Sequence, residues 1–326
     1  MRTTAIGQEI MVFRKLQRIA APAALLLAAG GMASCTAHHP GADTSMPVGA
    51  TSRDWPWFDR AVGPTQIYRN FDHGFHYATW TATKAHALHP NAPRYDYSFN
   101  IPPADAAAGK WDARIGTFVA STPRNTILSI WHEPEQEIEH GLYTAAQFRA
   151  MMVRFKGLVD AQNTRDKGSR MVSVVLMVAT FTGFKGRDPN TYWPGNAGAD
   201  LIAVDAYGSP SGTHTAMVPA GYTDGRNWKT SAALLTPVHD FAVSKGTRWG
   251  VSEFGYLVDV ENPTRKAQTI TDGVAYARSH RAVMFEYYDS SGSRADWRLR
   301  YQSPRVPSTS DASDAVKALR AAIAGS

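Results

Sequence analysis

From residue 46 to residue 326 the chain alternates short apolar, strand-like runs with helical patterns, and that alternation limits its architecture more than any other feature. Strands are expected at 46–51, 65–71, 95–101, 125–131, 171–179, 201–207, 247–253 and 281–288. In the fourth run Ile127, Leu128 and Ile130 suit a strand buried on both faces, as in a parallel sheet under helices. The clearest helix begins at Thr144, where Gln147 three residues on completes a capping box. Phe148, Met151, Met152, Phe155, Leu158 and Val159 then recur at helical spacing. Further helices are expected at 106–120, 231–245, 264–279 and 312–324, the last amphipathic through Val316, Leu319 and Ile323. Eight such units in about 280 residues fit a single (β/α)8 TIM barrel of the α/β class. A doubly wound sheet would alternate similarly, but no glycine-rich phosphate loop follows the first strand.

The segment before the barrel has the composition of an export address. Arg14, Lys15 and Arg18 form a basic start, 19–29 an apolar run too short to span a bilayer comfortably, and 30–35 a small-residue exit. Residues 1–34 are therefore expected to be a signal peptide, 35–45 a short flexible linker and 46–326 the barrel. Cys35, the single cysteine, stands directly after Ala33-Ser34 and resembles the lipidated residue of a bacterial lipobox, with Met32 where leucine is usual. The expectation is an exported lipoprotein of the bacterial cell envelope, touching the membrane only through a lipid on Cys35. Secretion with cleavage near Ala33 is the alternative. Either route leaves the mature chain without internal disulfides, so its stability must come from packing. His38-His39 in the linker reads as solvated rather than metal-binding.

The sequence pI of about 9.4 invites a nucleic-acid reading. Without residues 1–34, which carry Arg2, Arg14, Lys15 and Arg18 against Glu9, the formal charge falls from +6 to +3. No cluster of lysine and arginine alternates with aromatics elsewhere, so no nucleic-acid partner is expected.

Two strand ends carry carboxyls. The fourth expected strand closes in Trp131-His132-Glu133-Pro134, and the seventh in Val251-Ser252-Glu253-Phe254-Gly255. Barrel enzymes place their chemistry at this end of the strands. Cleavage of a glycosidic bond needs one carboxylic acid to protonate the leaving oxygen and one carboxylate to attack the anomeric carbon or activate water. Their environments must differ, because one must keep its proton and the other must be ionised. Trp131 and Pro134 would desolvate Glu133 and favour its acid form; hydroxyls near Glu253 would favour its carboxylate. Either motif alone is weak, since a glutamate after an apolar strand more often makes a salt bridge or caps a helix. Together they point to acid/base Glu133 and nucleophile Glu253.

These two motifs resemble the strand-four and strand-seven sites of retaining clan A glycoside hydrolases. Histidine before the acid/base glutamate is similar to glycoside hydrolase family 26. Residues 192–195, 200–207, 288–289 and 296–299 also resemble that family's chain around strands six and eight. The resemblance implies a TIM-barrel β-glycosidase working by double displacement, with no cofactor and no metal. It implies that His132 shapes the acid/base side of the site and that Tyr207 donates to the nucleophile. The chain departs from the family's mannanases at Pro134-Glu135-Gln136, where Met-Asn-Gly is usual, and in having Tyr287 or Tyr288 where tryptophan is common. Both departures bear on which sugar is taken. The expected partner is a mannan-, xylan- or β-glucan-type polysaccharide and the expected state a monomer. A non-catalytic glycan-binding envelope lipoprotein on the same barrel is the rival reading.

The remaining candidates carry a plain reading beside the functional one. Arg69 is expected either to hold the nucleophile's carboxylate or to form a buried structural ion pair. Asp205 is expected either at a sugar hydroxyl or as a helix cap. His132-Glu133-Pro134-Glu135-Gln136 lacks the second histidine of a zinc-binding HExxH, and Pro134 opposes a helix there. Glu135, Glu137 and Glu139 read as a solvated loop, with Glu135 within reach of substrate. Of nine tryptophans, Trp131, Trp193, Trp228 and Trp297 fall at expected strand ends or loops and at least two are expected to meet sugar rings. Trp55, Trp57, Trp80 and Trp111 are expected in the core.

Overall fold

The computed structural model describes residues 46–208, 222–223, 228–259, 262, 264–291, 296–300 and 313–325. The expected signal peptide, Cys35 and the linker lie outside the described residues.

Eight parallel strands close into a barrel: β1 Val48–Ser52, β2 Ile67–Asp72, β3 Tyr95–Phe99, β4 Ile127–Ile130, β5 Met171–Met177, β6 Leu201–Tyr207, β7 Arg248–Gly255 and β8 Phe285–Asp289. Each pairs with its neighbours in chain order, and β8 returns to β1 with Val48 opposite Phe285. Every expected strand is present within a few residues of its expected limits. The β1–β2 seam is tight: a Cβ on Gly49 would lie 1.9 Å from the Ile67 carbonyl oxygen, so only glycine fits there.

The apolar runs explain the layers. Ile67, Ile127, Val175, Leu201, Ala203 and Met284 form a cluster of their own, most of them at or near the start of a strand. The larger core cluster includes Phe148, Met151, Met152, Phe155 and Val159 of helix Ala145–Asp166, the residues picked out by their spacing. Thr144 and Gln147 cap that helix reciprocally, as expected. Trp55, Trp57 and Trp80 are buried, while Trp111 is half-buried against Phe75 under the Arg114 guanidinium.

Two local expectations are corrected. The helix at 106–120 is two helices, Pro103–Ala107 and Asp112–Ser121, parted at Gly109 with φ of 81°. The segment after β4 is helical over Glu135–Glu139, because Pro134 sits at its N-cap, where a missing N–H costs nothing. No helix of the described residues is long and apolar enough to cross a membrane.

Candidate active site

Strands β2, β3, β6, β7 and β8 and the segment after β4 bring a set of titratable side chains around Arg69. That arginine is fully buried. Its Nε–H donates to Glu253 Oε1 at 3.3 Å and its Nη1 to Asp96 Oδ2 at 2.7 Å, while Nη2 lies 3.8 Å from Asp205 Oδ2. One cation thus ties three strands to β2. Both expectations for Arg69 hold together: it touches Glu253, and it is the centre of a buried ion network. Lone buried cations are costly, so the surrounding carboxylates are what keep it charged.

Glu253 is buried at the end of β7 and accepts from Arg69 on one oxygen and from the Tyr207 hydroxyl on the other. Burial pushes its carboxyl upward; the Arg69 charge and the two donated hydrogen bonds pull it back. Ser252 does not serve Glu253: its hydroxyl donates to Asp205 Oδ1 at 2.8 Å. Asp205 is buried beside Arg69 and caps no helix among the described residues.

Glu133 lies just beyond β4 on an unusual backbone. Trp131 and Glu133 both have left-handed φ, 57° and 52°, on either side of His132. Such φ values are sparse for bulky residues and are sustained only where the surroundings fix them. Here the Trp131 N–H donates to Phe99 O at 3.0 Å, the Glu133 N–H donates to Val175 O at 3.0 Å, and the Trp131 indole N–H donates to Ile101 O. The chain end is pinned to β3 and β5. Desolvation raises the Glu133 carboxyl to about 8; the charges of Glu253 and Glu135 push the same way, against Arg69 and a hydrogen bond with Asp205. Desolvation raises both carboxyls; at Glu253 the Arg69 charge and two donated hydrogen bonds oppose it, and at Glu133 two neighbouring acids add to it.

His132 Nδ1 pairs with Ser98 Oγ at 2.7 Å, and its ring packs on Phe71 at 5.2 Å. Desolvation, then the charges of Arg69 and His73, lower it to about 3, so it is a neutral imidazole at neutral pH. Glu135 is not in a solvated loop. It is fully buried and accepts from Met177 N at 2.9 Å and Thr180 Oγ1 at 2.6 Å, with burial raising it to about 7. Glu139, at the surface, pairs with Arg187.

The aromatic candidates separate. Trp297 packs on Tyr207 at 4.6 Å and Tyr288 at 5.6 Å. Its carbonyl accepts from the fully buried Lys266 and from Tyr287, which fixes the segment. A Cβ on Gly255 would lie 2.8 Å from both Tyr207 and Trp297, so the residue that ends β7 leaves room for this pair. Tyr288 is half-buried and senses the charges of Glu253 and Glu133, whereas Tyr287 is fully buried. Trp131 packs against Tyr143, and Trp228 stacks on Tyr256 under the Arg265 guanidinium. Trp193 lies with Arg149 and Val153 of helix Ala145–Asp166 in a surface groove, apart from this cluster.

Asp96, Ser98 and Glu286 were missed in the sequence. Neither carboxyl oxygen of Glu286 has a hydrogen-bond partner, and Asp96 Oδ1 has none either. Burial, then the charge of Asp96, pushes Glu286 well above the carboxylate range, as burial and the Glu253 charge do for Asp205. The available signal was a charge in the middle of each apolar strand, at Tyr95-Asp96-Tyr97 and Phe285-Glu286-Tyr287. A charge so placed must find a partner inside the barrel.

No protein-family model matches the sequence, and no curated protein matches it. Among solved structures the fold is similar to the catalytic domain of a family 26 endo-β-1,4-mannanase from Bacillus sp. JAMB-750, with 11% identity, 85% of each chain covered and a TM-score of 0.53. It is also similar to a Bacteroidetes-affiliated family 5 cellulase, with 12% identity, 86% of this chain and 92% of that chain covered, and a TM-score of 0.50. At these identities the likeness is one of fold, the (β/α)8 barrel.

Proposed function

We propose that the protein is a retaining glycoside hydrolase acting on a β-linked polysaccharide. The observation that carries this reading is the division of labour between two glutamates at the ends of β4 and β7. Glu133 lacks a cationic hydrogen-bond partner and is held protonated by desolvation, while Glu253 is gripped by Arg69 and Tyr207. In the first step Glu253 attacks the anomeric carbon as the glycosidic bond breaks, and the Glu133 proton passes to the departing oxygen. In the second step Glu133, now a carboxylate, takes a proton from water as that water displaces Glu253. Arg69 and Tyr207 hold the nucleophile in place, and His132, fixed by Ser98, borders the acid. Tyr288 and Trp297 are assigned to sugar contact, and Asp205, fully buried, acts through Arg69. Trp131 and Tyr287 support the site from behind, and Trp228 is its outermost candidate.

The chain is further proposed to be exported through a signal peptide at 1–34 and anchored by a lipid on Cys35, with the barrel a monomer at the end of the 35–45 linker. Hydrolysis is tested on mannan, xylan and mixed-linkage glucan by release of reducing ends. Addition of azide to Glu253→Ala should yield a glycosyl azide of inverted anomeric configuration. Binding with no product from any of these polysaccharides would favour a glycan-binding protein instead.

A further inference from the structure

The catalytic cluster holds one cation, Arg69, among several acids, yet the cavity beside it is lined by cations. That cavity, of about 710 Å³, opens at the C-terminal ends of β1, β2 and β3. Its lining includes Arg53, His73, His76 and Lys84, all exposed. Neither Arg53 nor Lys84 makes an ion pair among the described residues. The one acid of the lining, Asp72, is already engaged by the Tyr97 hydroxyl. Asn70, also in the lining, has a buried side-chain nitrogen with no hydrogen-bond partner. A donor left open among unpaired cations is suited to an acceptor that carries negative charge.

The cavity adjoins the catalytic residues. Phe71 in its wall packs on His132, and the charge of His73 reaches the same imidazole. On the opposite side the Arg53 charge reaches the Tyr288 phenol at the end of β8.

We propose that this cavity is a subsite for an anionic sugar residue, one bearing a carboxylate or a sulfate ester, so that the polysaccharide cleaved at the active site is acidic. The proposal rests on the hydrolase reading of Glu133 and Glu253 and adds the substrate class. Arg53 offers a planar fork matched to either oxyanion, Lys84 a point charge, and Asn70 an amide donor. A neutral hexose could accept hydrogen bonds there but would leave the charges of Arg53 and Lys84 uncompensated. Exposed ion pairs are individually weak, so two cations together are worth about tenfold in affinity.

The test uses the full chain with Glu253→Ala, which stops turnover and leaves the cavity untouched, in calorimetric titrations. Paired oligosaccharides that differ only at C6 are compared: β-1,4-mannan with β-1,4-mannuronan, and β-1,4-glucan with β-1,4-glucuronan, with a sulfated β-1,4-glucan as a further arm. At least one charged member should bind about tenfold more tightly than its neutral twin at low salt. The preference should fade with added salt. Adding Arg53→Gln and Lys84→Gln should bring it to the neutral level while leaving the affinity for neutral chains unchanged. Tighter binding of the carboxylated arm assigns a uronate, and of the sulfated arm a sulfate ester. Equal affinity for charged and neutral chains, or a preference that survives the double substitution, overturns the proposal. Cleavage of neutral β-glycans by the unaltered protein in that case would leave the hydrolase reading standing.

Discussion

Glu133 and Glu253 are the same side chain at equivalent ends of two barrel strands, and the protein treats them oppositely. Glu253 stays within β7, where the pairing to β6 shifts register just before it, and receives a guanidinium N–H on one oxygen and a phenolic hydroxyl on the other. Glu133 follows a break in which two residues take left-handed φ, and its carboxyl has desolvation and two neighbouring acids acting on it. A buried carboxyl near a partnered one keeps its proton, because two adjacent charges with a single cation between them are too costly. In the proposed mechanism, what separates acid from nucleophile is therefore the placement of Arg69 and Tyr207. The residue type contributes nothing to the distinction.

That contrast can be broken at either end. The largest effect is expected from Glu253→Ala: turnover should fall by more than about 10⁴-fold, with the fold retained, as read by steady-state kinetics and circular dichroism. Glu133→Gln should cost about 10²–10⁴-fold on polysaccharide and far less on an aryl glycoside whose leaving group needs no proton. The pH profile follows from the same group. Activity needs Glu133 protonated, so it should decline as pH rises through about 8, and the glutamine variant should lose that limb of the profile. Arg69→Met leaves Asp96, Asp205 and Glu253 without their cation and should destabilise the fold by about 3–5 kcal/mol, seen as a lower Tm. Tyr207→Phe removes one donor from Glu253 and should cost about 1.5–3 kcal/mol in transition-state stabilisation, measured as kcat/KM. The smallest effect sharpens the comparison from outside the pair. If Glu286 is neutral, Glu286→Gln should change stability by less than about 1 kcal/mol, whereas a charged Glu286 would make the substitution markedly stabilising or destabilising.

The barrel is legible because short apolar runs such as Ile127-Leu128-Ser129-Ile130 alternate with long helical patterns, as strands covered on both sides do. The two glutamates were legible because each interrupts an apolar run at a strand end. Their surroundings were harder to read. Glu286 and Asp96 lie 190 positions apart and meet only because β8 and β3 flank the strands that carry Gly49 and Arg69. Ser252 stands beside Glu253 in sequence, but the pairing of β7 with β6 shifts register across it, and its hydroxyl serves Asp205 instead. Glu135 reads as solvated because charge usually is, yet the helix that starts after Pro134 buries it, with Met177 N–H and Thr180 Oγ1 both donating to its Oε1. Trp193 was placed with the site by its nearness in sequence to β6, and it packs beside the helix Ala145–Asp166.

The central claim is that the surroundings divide one pair of identical carboxyls into an acid and a carboxylate, and this can be measured without any substrate. In the intact protein with carboxyl-labelled glutamate, assigned through Glu133→Gln and Glu253→Gln, the two carboxyl resonances are followed by NMR across a pH titration. The account predicts that Glu253 ionises first and that Glu133 holds its proton to about 8. Ionisation in the reverse order, or of both groups together in the ordinary carboxylate range, would contradict it.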